Sequence, residues 1–172
     1  DDDRYDAMKA AAEGGAKVVV CAGFMQGTAL AKAAAEFTDV KFVFIDGWQL
    51  GLENVAPIAF AEEQSGYLAG YAAVKMGYTH LGFLGGMAVP AVIRYGFGYV
   101  QGANAAAVEM GTADKVTLEY VYGNQFFGDA DITAYMDNWY QNLGVQVVFA
   151  CGGGIFTSAG EAAAKVEGAK LI

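Results

Sequence analysis

Short runs of continuous apolar residues alternate with Ala-rich stretches of helical spacing along the whole chain. Residues 6–13 have helical spacing, and Gly14-Gly15 stops them. Residues 16–21 (AKVVVC) are a nearly unbroken apolar run, as expected of a parallel strand buried on both faces. Ala22-Gly23 turns the chain into a helix over 28–37. Residues 40–45 (VKFVFI) are the next strand, ended by Asp46-Gly47. The order is β-α-β with short loops, so a right-handed crossover is expected. Residues 55–60, around Pro57, read as a short edge strand. A helix rich in small residues follows over 62–76. Its Gly66 and Gly70 lie four apart on one face, and the polar Glu62, Glu63 and Gln64 beside them favour close packing on a sheet over a membrane contact.

The alternation then restarts. Strands are predicted over 80–84, 116–122, 146–151 and 170–172. Helices are predicted over 91–110, 131–142 and 157–166, the first weakened by Gly96, Gly98 and Gly102. The stretch 16–24 (AKVVVCAGF) resembles 145–153 (VQVVFACGG). Each follows a helix ending at Gly and leads through a Gly turn into an Ala-rich helix. Two similar α/β lobes, residues 1–77 and 78–172, account for this repeat; chance likeness of two β-α-β units is the alternative. In open α/β sheets, ligands sit beyond the carboxyl ends of the strands.

Composition narrows the partners. Hydrophobic residues make up 55% of the chain and charged residues 17%, enough apolar material for a core and too much for a disordered chain. The net charge of −9 is spread over both halves with no Lys/Arg run, so nucleic acid is a poor candidate partner. No apolar run approaches the ~18 residues of a membrane helix. The chain opens on Asp1, Asp2, Asp3 and Arg4 and stops within the strand-like Lys170-Leu171-Ile172. Both ends therefore read as internal to a longer protein, and the absent signal segment is silent about compartment.

Catalytic templates are missing. There is no P-loop, no strand-linked dinucleotide fingerprint and no nucleophile elbow. One histidine, His80, with Cys21 and Cys151 far apart, does not make an ordinary zinc site or a nucleophile–base pair. Both cysteines read as buried strand-end thiols, and a disulfide between two lobes is not expected. The acid pair Glu62-Glu63 reads as a solvated helix face. Neither a cofactor nor a metal is expected, and the chain does not read as an enzyme. Small-molecule recognition fits better. The strand-end loops carry Phe24 and Met25, Gly86 and Met87, Phe126 and Phe127, and Gly152-Gly153-Gly154. Glycines let backbone N–H groups approach a ligand, and aromatic rings offer stacking surfaces. Core packing is the alternative for each aromatic taken singly.

Four segments carry a family resemblance: Gly66-Tyr-Leu-Ala-Gly-Tyr71, Leu81-Gly-Phe-Leu-Gly-Gly-Met87 with Pro90 and Arg94, Tyr122-Gly-Asn-Gln-Phe126, and Val148-Phe-Ala-Cys-Gly-Gly153. In this collinear order they resemble the basic membrane protein (BMP) family, the purine-nucleoside-receptor lipoproteins of ABC importers. The resemblance implies a type I periplasmic-binding-protein fold, two lobes each with a parallel sheet flanked by helices, closing by hinge motion. It implies an extracytoplasmic, lipid-anchored receptor that takes a nucleoside and hands it to a membrane permease. By position, Phe126 resembles the family's stacking ring, although Phe127 makes the loop longer than its commonest form. Phe24 with Met25 resembles the opposite wall, and Gly152-Gly153 the glycines near the sugar. The family's N-terminal Asp- and Asn-bearing loop is expected before Asp1, and its ribose- and base-holding Asp and Lys after Ile172. The stretch alone is therefore expected to bind nucleoside weakly or not at all. A ligand-sensing domain of a regulator or signalling receptor remains the alternative on the same fold; a nucleoside-processing hydrolase is the third reading.

Overall fold

The computed structural model describes residues 1–172 as two compact units, Asp1–Phe60 and Ala61–Ile172. The first unit contains α1 (Asp2–Glu13), β1 (Val18–Ala22), α2 (Gly27–Glu36), β2 (Lys41–Ile45) and β3 (Val55–Ile58). The strands pair in parallel in the order β1-β2-β3, with Cys21 opposite Phe44 and Phe44 opposite Pro57. Pro57 lies on the edge strand, where a missing N–H costs nothing. Alternation along β2 turns Phe42 and Phe44 into a core with Tyr5 and Met8 of α1, Cys21 of β1, and Leu30, Ala33 and Ala34 of α2. Buried Asn54 ties this unit together: its Nδ2 donates to the carbonyls of Ala34 (2.9 Å), Phe37 (3.2 Å) and Val40 (3.0 Å) where α2 ends.

The second unit contains α3 (Glu62–Lys75), β4 (His80–Gly85), α4 (Pro90–Glu109), β5 (Thr117–Tyr122), α5 (Ala130–Asp137), β6 (Val147–Cys151), α6 (Phe156–Ala163) and β7 (Lys170–Leu171). Its four parallel strands run in the order β5-β4-β6-β7. The chain steps outward from β4 to β5, then returns past β4 to β6. With crossovers of one hand, the connecting helices must lie on opposite faces. Leu81 and Phe83 of β4 accordingly pack with α3 and α4, while Leu84 packs with α5, α6 and Trp139. α5 runs on as a π-helical turn, Asn138–Leu143, which seats Trp139 and Tyr140 in the core and ends at Gly144 with φ 76°.

Three sequence expectations change. The helix over 62–76 packs within the second unit, whereas the sequence boundary between 77 and 78 groups it with the first half. Its Gly66 and Gly70 face α4 rather than a sheet. A Cβ on Gly70 would stand 2.0 Å from the Tyr99 carbonyl oxygen, and one on Gly98 of α4 would stand 2.0 Å from that of Glu63. Gly102 sits equally tight against Tyr67. The two helices are thus parallel and in backbone contact through glycines on both. Glu62 is likewise not on a solvated face: it is 4% exposed, and the Arg94 Nε donates to its Oε2 at 2.6 Å.

Candidate ligand site

The strand order of the second unit creates a switch point between β4 and β6, where successive connections leave in opposite directions. Such a point leaves a crevice beyond the carboxyl ends of the strands. The Gly85-Gly86 turn after β4 and the Cys151-Gly152-Gly153 turn after β6 meet there. The Gly86 N–H donates to the Cys151 carbonyl at 2.8 Å, and the Asn124 N–H donates to the Gly86 carbonyl at 2.9 Å. Gly152 has φ 146°, and a Cβ on it would stand 2.9 Å from the Gly86 backbone. A Cβ on Gly86 would enter the Phe126 ring, 2.6 Å from its Cδ1. Only bare backbone on both turns lets the ring lie this close. Gly153, with φ 54°, touches the Phe126 backbone, and the Gly154 N–H donates to the Phe126 carbonyl at 2.8 Å.

The loop carrying Phe126 is pinned on several sides. Asp129 is the N-cap of α5, accepting from the Ile132 N–H at 2.8 Å and from the Gln125 Nε2 at 2.6 Å. These donors, the Ile132 amide first, hold its carboxyl below the usual carboxylate range. Buried Ser158 accepts from the Asp129 N–H and donates to the Asp129 carbonyl, both at 3.0 Å. Asn124 takes φ 60°, a left-handed conformation that Asn tolerates better than most residues.

Of the seven site residues expected from sequence, Gly86, Phe126, Gly152 and Gly153 come together at this point, and Met87 follows Gly86 with 42% of its surface exposed. Phe24 and Met25 lie in the first unit, in a single 3-10 turn after β1. Gly23, with φ 97°, starts that turn and donates its N–H to the Ile45 carbonyl at 2.9 Å.

That hydrogen bond places the Phe24 turn beside Asp46, which sequence reasoning treats only as a turn residue. Asp46 follows the central strand β2, has φ 59°, is half-buried, and its carboxylate has no hydrogen-bond or ion-pair partner. Non-glycine residues in this conformation collect at functional sites. The sequence signal was an Asp directly after a β-branched run in a parallel unit. No three His, Cys, Asp or Glu side chains are grouped to hold a metal ion. Burial, with a smaller contribution from the Glu62 charge, pushes the Cys151 thiol up to about 11.

A family model described as ABC transporter substrate-binding protein PnrA-like matches residues 1–169. The chain is 33% identical over 144 residues to the ABC transporter nucleoside-binding protein BmpA of Lactococcus lactis subsp. cremoris (strain MG1363), covering 83% of this chain and 39% of that protein. It superposes on an ABC transporter solute-binding protein from Aeropyrum pernix K1 with a TM-score of 0.78 at 24% identity, covering 98% of this chain and 48% of that one. A transcriptional activator of the comK gene from Bacillus halodurans superposes with a TM-score of 0.72 at 23% identity, covering 98% of this chain and 55% of that one. The chain thus spans about two fifths of the length of that curated relative. On the match over nearly its whole length, this chain belongs to the Bmp family of PnrA-like ABC transporter substrate-binding proteins.

Proposed function

We propose that this chain contributes parts of both lobes of an extracytoplasmic receptor that captures nucleosides for an ABC importer. The receptor carries a lipid anchor, delivers its solute to a membrane permease and performs no chemistry on it. One observation carries the reading: Phe126 lies against the Gly86 and Gly152-Gly153 backbone at the switch point, an aromatic surface in the crevice where this fold class takes small ligands. A flat base stacks on such a ring, and the glycines leave room for backbone donors to reach a sugar. In the first unit, Phe24 and Met25, with Asp46 beside their turn, are further candidate ligand contacts, and in the second Met87 flanks the Gly86 turn. The name of the Lactococcus relative supports the nucleoside class.

The test is calorimetric titration of the protein at its full natural length with inosine, adenosine and uridine, for wild type and Phe126→Ala. Removing a stacked ring costs about 1–3 kcal/mol per base, so the Kd should rise roughly 5- to 150-fold. Absence of saturable binding by the wild type sinks the nucleoside reading. Equal affinity of the two proteins removes Phe126 from the site.

The same fold is found in the comK transcriptional activator. A ligand-sensing domain is therefore the competing reading, and a DNA-binding helix-turn-helix in the same polypeptide would decide for it.

A further inference from the structure

Glu62 is the only charged residue of the chain that is buried. It opens α3, and its two carboxylate oxygens differ. Oε2 accepts from the Arg94 Nε at 2.6 Å, whereas Oε1 is buried and has no hydrogen-bond partner in the protein. The Arg94 guanidinium holds the carboxyl below the usual carboxylate range, against the opposing effect of burial, so the group is an anion at neutral pH. A buried anionic oxygen without a donor is unfavourable, and native proteins rarely leave one so.

The fold places this oxygen at the crevice. α3 and α4 are parallel and in backbone contact, so they start side by side. α4 begins at Pro90, four residues after Gly86, and Arg94 is on its second turn. Both helix starts therefore lie at the carboxyl ends of β4 and β6. Cys151, whose carbonyl receives the Gly86 N–H, is near enough to feel the Glu62 charge. The buried carboxylate thus sits in the same corner as the glycine turns that carry Phe126.

We infer that Glu62 is a ligand-recognition residue: its Oε1 accepts a hydrogen bond from an N–H or O–H of the solute at the switch point, and Arg94 is the positioning residue that holds the carboxylate. This rests on the reading of the crevice as a nucleoside site and narrows it. The favoured solute is uncharged or cationic and presents a donor; a phosphorylated solute meets a like charge.

The experiment is a cycle between protein and ligand. Wild type and Glu62→Gln, both at full natural length, are titrated with inosine, its 2′-, 3′- and 5′-deoxy forms, and N1-methylinosine. Hydrogen bonds to charged groups are strong, so deleting the donor that meets Glu62 should weaken wild-type binding roughly 10- to 100-fold. The same deletion should weaken Glu62→Gln by less than about threefold, because the partner is already gone. Should Glu62→Gln not fold, Glu62→Asp, which withdraws the oxygens by one methylene, is read in the same cycle. Equal penalties in both proteins for every analogue overturn the inference and leave Oε1 to a buried water. A Glu62 variant with the wild-type Kd for inosine overturns it as well. Wild type that binds no nucleoside overturns both this inference and the functional reading, whereas nucleoside binding without Glu62 coupling overturns the inference alone.

Discussion

The contact between α3 and α4 permits a sharp test, because the same substitution should have opposite signs at two helical glycines. At Gly70, Gly→Ala places a Cβ 2.0 Å from the Tyr99 carbonyl oxygen and 2.9 Å from the Ala103 nitrogen. The closest comfortable carbon–oxygen approach is about 3.3 Å, so the helices must part by about 1.3 Å at that point. Both partners are main chain, and no rotamer change can relieve the clash. Gaps of about 0.5–1 Å already forfeit a quarter to a half of each dispersion contact nearby. Overpacking of this kind costs about 3 kcal/mol at the upper end of its usual range. Ala is the better helix former by about 1 kcal/mol, which offsets part of it. The net expectation is a loss of about 2 kcal/mol, or roughly 4–8 °C in Tm for a chain of this size. At Gly160 in α6 the nearest atom to a new Cβ is the Leu171 Cδ2 at 3.6 Å, an ordinary contact. There only the propensity gain remains, and Gly160→Ala should raise stability by about 0.5–1 kcal/mol. Thermal unfolding followed by far-UV circular dichroism reads both variants. Gly70→Ala as stable as wild type refutes the claim that the glycines seat the two helices. Gly160→Ala as damaging as Gly70→Ala refutes the reasoning from approach distance.

Two further expectations concern groups at the ends of elements. Asn54→Ala removes the donor shared by three carbonyls where α2 ends, and should cost about 2 kcal/mol in urea unfolding; a loss below about 0.5 kcal/mol would mean that water replaces the amide freely. Burial raises the Cys21 thiol and pushes Cys151 up to about 11, so both should react slowly with a disulfide reagent at pH 8 and quickly in denaturant. Because these folded-state values lie above the unfolded one, the thiols' contribution to stability is complete below about pH 8.5 and fades as pH rises toward the folded values. Rapid native labelling, or stability that increases over that window, contradicts the burial.

The parts of the fold legible in the sequence are those whose signal is local. The apolar runs at 16–21, 40–45 and 146–151 become β1, β2 and β6, shifted by a residue or two at their ends. The glycine turns after them stand where strand ends should be. What periodicity leaves open is the partner of a face. Gly66 and Gly70 announce a close approach in the sequence, yet a sheet and a second helix both accept it. The matching Gly98 and Gly102 look like mere weakness in α4 until the helices are set parallel. Glu62 reads as solvated because its neighbour Glu63 is acidic, and only the distant Arg94 makes its burial tolerable. The π turn after α5 has no local cue, since the packing of Trp139 and Tyr140 decides it. Asp46 escapes notice because Asp-Gly is an ordinary turn pair, and its φ is a property of the folded loop alone.

The recognition role proposed for Phe126 depends on how the loop after β5 is held. Ordering a loop on binding subtracts from affinity, about 0.5–1.5 kcal/mol for each immobilised side chain. Here the ordering is done beforehand. The Gly154 N–H holds the Phe126 carbonyl, Asp129 caps α5 while gripping Gln125, and Ser158 fixes both the N–H and the carbonyl of Asp129. The ring itself rests on glycine backbone from the turns after β4 and β6. Phe127, its neighbour, is held only through its main chain, by a bridge to Gly154 and a hydrogen bond from the Gln125 Nε2 at 3.1 Å, and leaves 62% of its surface exposed. Two adjacent phenylalanines are therefore not equivalent. Phe126 is held by its own loop, by the turns after β4 and β6 and by Ser158 of α6, and that placement, more than the ring's area, suits it to the recognition role proposed for it.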